Sequence, residues 1–203
     1  MRSRTDSRIE AHHERLHARH RHRLRVLGSQ IAFQAAFFGK EVMVYDISEE
    51  ILAELPTRWD RLAGFYVRDM EATEDQLEQT RSRLHHSADL AQALAEADVV
   101  IEAVPENLEL KRKVWAQIGA AAPEQAVLCT NSSTLLPSDI AAATGHPERF
   151  LALHFANEVW KNNTGEVMGH AGTDPRRCSR CWSSRDRSGW CPSTWRRNSP
   201  ATC

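Results

Sequence analysis

Gly28 stands at the mouth of an apolar run, Ile31-Ala32-Phe33-Gln34-Ala35-Ala36-Phe37-Phe38, closed by Gly39. Glu41-Val42-Met43-Val44-Tyr45-Asp46 follows at once and reads as a strand ending in an acid. This is the downstream half of the fingerprint G-x-G-x-x-G, in which the last glycine lets the helix pack close to its strand. An acid about 20 residues on then holds the ribose of a dinucleotide. An acid at that place repels a 2′-phosphate, so Asp46 favours NAD over NADP. The upstream half departs from the motif: Arg23 and Arg25 occupy the positions of the first two glycines. Taken singly, Gly28 also fits a plain helix entry, and Asp46 a solvated strand end.

The elements that must position these residues divide the chain into three unlike parts. Residues 1–25 hold eight arginines against three acids, and residues 176–203 hold seven arginines against one. All four lysines (Lys40, Lys111, Lys113 and Lys161) lie in the acidic middle. We therefore expect a non-native arm over 1–25, one folded domain over 26–175 and a disordered tail over 176–203. Of five cysteines only Cys129 lies in the middle part, inside an apolar strand-like run, which suits a reducing cytoplasm. There is no signal-peptide core and no run of 18 apolar residues, so a soluble cytoplasmic protein with no membrane partner is expected.

Along the middle part, the run from Ser29 to Phe38 predicts a buried helix with a glycine C-cap. Ser48, followed by Glu49 and Glu50, starts a polar helical stretch that runs to about Arg83. Ser87 is expected to cap a short helix over 88–97. Asp98-Val99-Val100-Ile101-Glu102-Ala103-Val104 reads as a fully buried strand, 106–122 as a helix and Ala126-Val127-Leu128-Cys129-Thr130 as a strand. A short helix over 137–144 and a strand over 149–154 complete the series. This alternation predicts an α/β fold with a doubly wound, Rossmann-type parallel sheet in a single domain, its ligands outside the carboxyl ends of the strands. Those ends carry Asp46, Val104 to Asn107, Asn131 to Thr134 and His154 to Asn157.

Four strand-end motifs in order, Val44-Tyr45-Asp46, Glu102-Ala103-Val104-Pro105-Glu106-Asn107, Thr130-Asn131-Ser132-Ser133 and Leu153-His154-Phe155-Ala156-Asn157, resemble the NAD-binding domain of 3-hydroxyacyl-CoA dehydrogenases. The resemblance implies oxidation of a 3-hydroxyacyl-CoA to the 3-oxoacyl-CoA with NAD, in fatty acid β-oxidation or butanoate metabolism. It implies His154 as the base that takes the hydroxyl proton, Glu166 as the carboxylate that orients the imidazole, and Ser133 as the hydrogen-bond partner of the substrate oxygen, with Asn157 beside it. A histidine of near-neutral pKa with a carboxylate partner suits this task, because a hydroxyl carbon gives up hydride only if the hydroxyl proton has a destination. Gly28 and Asp46 would bind the cofactor, and Glu106 and Lys111 would approach it. Many family members have a second aromatic and a proline where this chain reads Ala156 and Glu158. The resemblance further implies an acyl-CoA partner and a homodimer built by a C-terminal helical domain, which is expected to be missing here.

Both ends read as shifted frames. Skipping one base across Arg19 to Arg25 permits Val-Thr-Val-Ile-Gly-Ser-Gly, a buried strand with both missing glycines in register with Gly28. A two-base shift over Ser188 to Cys203 permits Gly-Met-Val-Pro-Ile-His-Val-Ala-Lys-Glu-Gln-Pro-Gly-Tyr-Val. The expected consequence is an enzyme by ancestry with little or no turnover, or else a non-catalytic nucleotide-binding fragment. Other readings of the ends are a zinc site from Cys178, Cys181, Cys191, Cys203 and His170, a phosphate-binding arm over 12–25, and base stacking by Trp182, Trp190 and Trp195. The spacing of the cysteines and the lack of a fold pattern around them favour no metal, and a His/Arg run is usually a solvated disordered arm, which favours no nucleic acid.

Overall fold

The computed structural model describes residues 27–162 and 164–176, together with the backbone of 191–198. Its elements in chain order are helix α1 over 27–37, then β1 (Val42–Tyr45), α2 (Glu49–Ala53), α3 (Leu55–Met70), α4 (Glu74–Ser82) and β2 (Leu84–Ser87). The second group is α5 (Leu90–Leu94), β3 (Val99–Glu102), α6 (Leu108–Ala121), β4 (Val127–Thr130) and α7 (Pro137–Ala141). The last is β5 (Phe150–Phe155), α8 (Val159–Asn162), β6 (Thr164–His170) and β7 (Cys191–Asn198). Among the described residues, β1 and β2 form one parallel sheet and β3-β4-β5-β6-β7 another.

Alternation along the strands distributes the core to two faces. Val127, Cys129, Leu151, Leu153, Phe155 and Val167 pack with Ile31 of α1 and Val159 of α8. Leu128 and Phe150 point the other way, to Trp115 and Ile118 of α6 and Ile140 of α7. Helices on both faces of one sheet make the doubly wound α/β architecture that the sequence predicts. A third cluster covers β1 and β2, where α3 presents Leu55, Trp59, Leu62, Ala63 and Tyr66 at helical spacing.

The polar stretch from Ser48 to Arg83 is three helices rather than one. The breaks fall at Glu54 and at Glu71, which takes the left-handed φ of 55° and ends α3. Thr73 and Gln76 then form a reciprocal capping box that starts α4. Strand β2 was hidden in the sequence because His85 and His86 are both exposed, leaving Leu84 as its buried side chain. The cap of α5 is Asp89, whose Oδ1 accepts from the amides of Ala91 and Gln92, while Ser87 holds the Asp89 amide.

The sheet is not wholly parallel. β6 runs antiparallel to β5, pairing Ala152 with Met168 and His154 with Glu166. β7 pairs parallel to β6, so residues 191–198 form a strand where a disordered tail was expected. The arm over 1–25, including Arg23 and Arg25, lies outside the described residues, as do Cys178, Cys181, Cys203, Trp182 and Trp190. No helix among the described residues is long and apolar enough to cross a membrane.

Two close contacts hold the frame. A Cβ on Gly119 of α6 would lie 1.9 Å from the Thr144 carbonyl oxygen, so only glycine fits there. Asp69, at the end of α3, accepts two 2.7 Å bonds from Arg68 and one of 2.9 Å from the Trp160 indole of α8. Those hydrogen bonds, Arg68 first, hold the Asp69 carboxyl below the usual carboxylate range. Trp160 also stacks on Phe65 with centroids 5.0 Å apart.

Candidate active site at the strand ends

The four strand-end segments are stitched together by side chains that grow out of neighbouring elements. Glu102, the last residue of β3, is buried and saturated with donors. Its Oε1 accepts from Lys111 Nζ at 2.7 Å and from the Val104 amide at 2.7 Å. Its Oε2 accepts from the Trp115 indole at 3.0 Å and the Thr130 hydroxyl at 2.8 Å. A buried carboxylate is tolerable only with this degree of pairing.

Lys111 is fixed by the same arrangement. Its side chain is 1% exposed, donates also to the Val104 carbonyl at 3.2 Å and lies 3.6 Å from Glu106 Oε2. Lys111, expected to approach a cofactor, is the buried counter-ion of Glu102 and also ties down the loop 103–107 through the Val104 carbonyl.

Glu106 reaches the other way, into the turn after β4. Its Oε1 accepts from the hydroxyls of Ser132 and Thr134, and from the amides of Ser133 at 3.1 Å, Thr134 at 2.9 Å and Leu135 at 3.3 Å. Partial burial pushes its carboxyl up, but the Ser132 and Thr134 hydrogen bonds and the Lys111 charge outweigh that and bring it to about 2.

The turn after β4 is tied onward to β5, since Asn131 Oδ1 accepts from the Phe155 amide at 2.9 Å. α1 reaches the turn after β5: Gln30 Oε1 accepts from the Glu158 amide at 2.9 Å and from the Val159 amide at 3.4 Å. Glu158 has a φ of 56°. Proline can neither take that angle nor donate that hydrogen bond, so the chain leaves β5 by a turn that a proline at 158 would forbid.

His154 and Glu166 are directly opposite on β5 and β6, with Nδ1 3.7 Å from Oε2 and both side chains partly open to solvent. That separation is an ion-pair distance that leaves Nε2 of the imidazole for another partner. Ser133 and Asn157 are exposed on the flanking turns. The structure therefore brings His154, Glu166, Ser133 and Asn157 to one end of the sheet, on three consecutive chain segments.

The described residues fit the ribose end of NAD. Asp46 follows β1 and is half-buried, with Oδ1 accepting from the Ser48 amide at 3.0 Å, an arrangement that fixes the carboxylate's direction. Gly28 lies in the first turn of α1, where an added Cβ would sit 3.5 Å from the Ala103 Cβ. That is ordinary contact, so alanine would also fit.

Sequence reasoning gave no role to Gln30 or Asn131 and none to Glu102 as a hub. The one available signal was a polar residue inside an apolar run. His170, a zinc candidate, has both ring nitrogens engaged: Nε2 lies 3.0 Å from the Pro147 carbonyl and Nδ1 accepts from the Gly172 amide at 3.1 Å. Burial lowers its pKa. Among the described residues no group of three or more His, Cys, Asp or Glu could hold a metal.

Helices on both faces of the five-stranded sheet, a histidine-carboxylate pair at the end of β5 and an acid after β1 of the two-stranded sheet are features of a dinucleotide-binding α/β domain. Residues 26–189 match the family model "3-hydroxyacyl-CoA dehydrogenase, NAD binding domain", and the chain belongs to that family. The 3-hydroxyadipyl-CoA dehydrogenase of Escherichia coli (strain K12) is 39% identical over 147 residues, 72% of this chain and 31% of that protein. The mitochondrial hydroxyacyl-coenzyme A dehydrogenase of Rattus norvegicus is 34% identical over 148 residues, 70% of this chain and 47% of that protein. The chain thus spans less than half the length of either curated relative. Among solved structures, a diketoreductase studied for dual catalysis of dicarbonyl compounds is 44% identical with a TM-score of 0.81, over 87% of this chain and 62% of its own. The Escherichia coli K12 3-hydroxybutyryl-CoA dehydrogenase superposes with a TM-score of 0.78 at 33% identity, over 85% of this chain and 36% of its own.

Proposed function

We propose that the site performs NAD-dependent oxidation of the 3-hydroxyl of a 3-hydroxyacyl-CoA to the 3-oxo compound. The observation that carries this reading is the cross-strand pairing of His154 with Glu166 at the strand end beside Ser133 and Asn157. NAD, when bound, supplies the hydride acceptor. His154 takes the hydroxyl proton at Nε2 while Glu166 faces Nδ1, orients the ring and stabilises the imidazolium. Ser133 and Asn157 hold the substrate oxygen, and Asp46 accepts from the adenosine ribose. Incubation of the purified chain with 3-hydroxybutyryl-CoA and NAD tests the reading by NADH formation. No NADH from either the chain or an Arg23→Gly/Arg25→Gly variant sinks it.

Turnover is low in the chain as written, because arginines stand at two positions where the fingerprint needs glycine for the backbone to approach a pyrophosphate. A rate like that of intact family members would refute this. Arginine without lysine at both ends supports frames shifted relative to the middle part, and the family match starting at residue 26 is consistent with this at the first end. At the second end, the match to residue 189 and strand β7 weigh the other way. The genomic sequence across codons 15 to 30 and 170 to 203 decides each end separately. Nucleotide binding without catalysis is the alternative, recognised by NADH fluorescence titration with no turnover.

The 44% identity to a diketoreductase favours a second substrate reading, reduction of a dicarbonyl compound by NADH, with His154 returning its proton to the new hydroxyl. Parallel assays of acetoacetyl-CoA and a free dicarbonyl compound without CoA separate the two. A cytoplasmic location accords with Cys129 packed as a small buried side chain in the apolar strand β4.

A further inference from the structure

We propose that Glu106 is a positioning residue, the internal anion around which the turn Ser132 to Leu135 is folded, and that it sets the place of Ser133. Three consecutive amides, those of Ser133, Thr134 and Leu135, converge on a single carboxylate oxygen together with two hydroxyls. Successive N–H groups turned to one point form an anion-binding concavity, of the kind that elsewhere cradles phosphate. Here the chain supplies the anion itself, from the loop after the adjacent strand.

The anion is held from behind as well as in front. Its second oxygen lies 3.6 Å from Lys111 Nζ, and that lysine is locked on Glu102. Glu102, Lys111 and Glu106 thus run as a charged post from the buried end of β3 to the turn after β4. Ser133 gives its amide to the post, and the residue itself is exposed. The importance of Ser133 to chemistry rests on the function proposed above; the clamp does not.

The test uses the full chain with its carboxyl carbons and amides assigned by NMR. In the wild-type chain the Glu106 carboxyl carbon stays constant between about pH 7 and 4, where exposed glutamates titrate. Ser132→Ala/Thr134→Ala removes two donors and raises the Glu106 midpoint by about one pH unit or more, a tenfold weaker hold on the charged form. Glu106→Gln moves the Ser133, Thr134 and Leu135 amide protons upfield and speeds their exchange at least about tenfold, and Glu106→Asp restores part of both. If Glu106→Gln does not fold, the alanine pair carries the decision.

Glu106 titrating with the exposed glutamates overturns the proposal, as do three amides that stay in place in Glu106→Gln. NADH affinity lost with those amides unmoved would make Glu106 a cofactor ligand and overturn it too. None of these readouts needs turnover. Absence of 3-hydroxyacyl-CoA oxidation would sink the proposed activity and leave the clamp standing.

Discussion

His154 and Glu166 are 12 positions apart in sequence but directly opposite in space, because β6 turns back antiparallel on β5 and brings Nδ1 to 3.7 Å from the carboxylate. Side chains opposite one another on adjacent strands share a face of the sheet, so the register itself aims the carboxylate at the ring. Replacing the base should cost the most. His154→Ala is expected to lower turnover of 3-hydroxybutyryl-CoA by about 10² to 10⁴-fold, and Glu166→Gln by a smaller factor, in NADH-formation assays. Both substitutions are compared in the Arg23→Gly/Arg25→Gly background, where equal rates with and without His154→Ala would remove the histidine from the mechanism.

With the cofactor placed as proposed, a 2′-phosphate would bring a second negative charge beside that of Asp46. Asp46→Ala should therefore narrow the preference for NADH over NADPH by about tenfold, read as the ratio of the two dissociation constants. An unchanged ratio would place the ribose elsewhere.

The depressed carboxyl of Glu106 has a signed consequence for stability. Its ordinary value is 4.5 and its folded value about 2, so its contribution is present above about pH 4.5 and lost as the pH falls toward 2. The loss is of order 3 kcal/mol at most. Urea midpoints of the wild-type chain should fall across that window more steeply than those of Glu106→Gln.

Lys111 and Glu102 are each buried and each the other's charge partner at 2.7 Å. Lys111→Met should cost about 3 to 5 kcal/mol by stranding a buried carboxylate, and Glu102→Gln combined with it should recover part of that loss. Additive losses in urea unfolding would mean that the two groups are not coupled.

Gly119→Ala places a methyl group 1.9 Å from the Thr144 carbonyl. Backbone on one side and a helix on the other leave little room to yield, so a loss of about 3 kcal/mol is expected in thermal or urea unfolding. Gly28→Ala, whose new Cβ finds ordinary contact with Ala103, should change stability far less.

Much of the architecture was legible from local pattern. The apolar runs at 98–104 and 126–130 could only be buried strands, and the helices between them showed their caps and their spacing. The polar segments were less legible. Leu84 to Ser87 hides a strand because two of its four residues are solvent-facing histidines, and sheet pairing with β1 is a long-range fact that no local pattern contains.

The linear order of Asp46, Asn131 to Ser133 and His154 to Asn157 by itself placed the candidate chemistry at strand ends, because a doubly wound sheet brings every such end to one edge. The sequence also identified Glu166 as a partner through family resemblance alone. Only the tertiary structure showed how these groups are held. The reversal of β6 put Glu166 across from His154, and burial paired Lys111 with Glu102. Glu106 became the anion of the turn beside Ser133. Hydrogen bonds and ion pairs between segments far apart in sequence depend on where the sheet places those segments, and residue identity cannot encode that placement one position at a time.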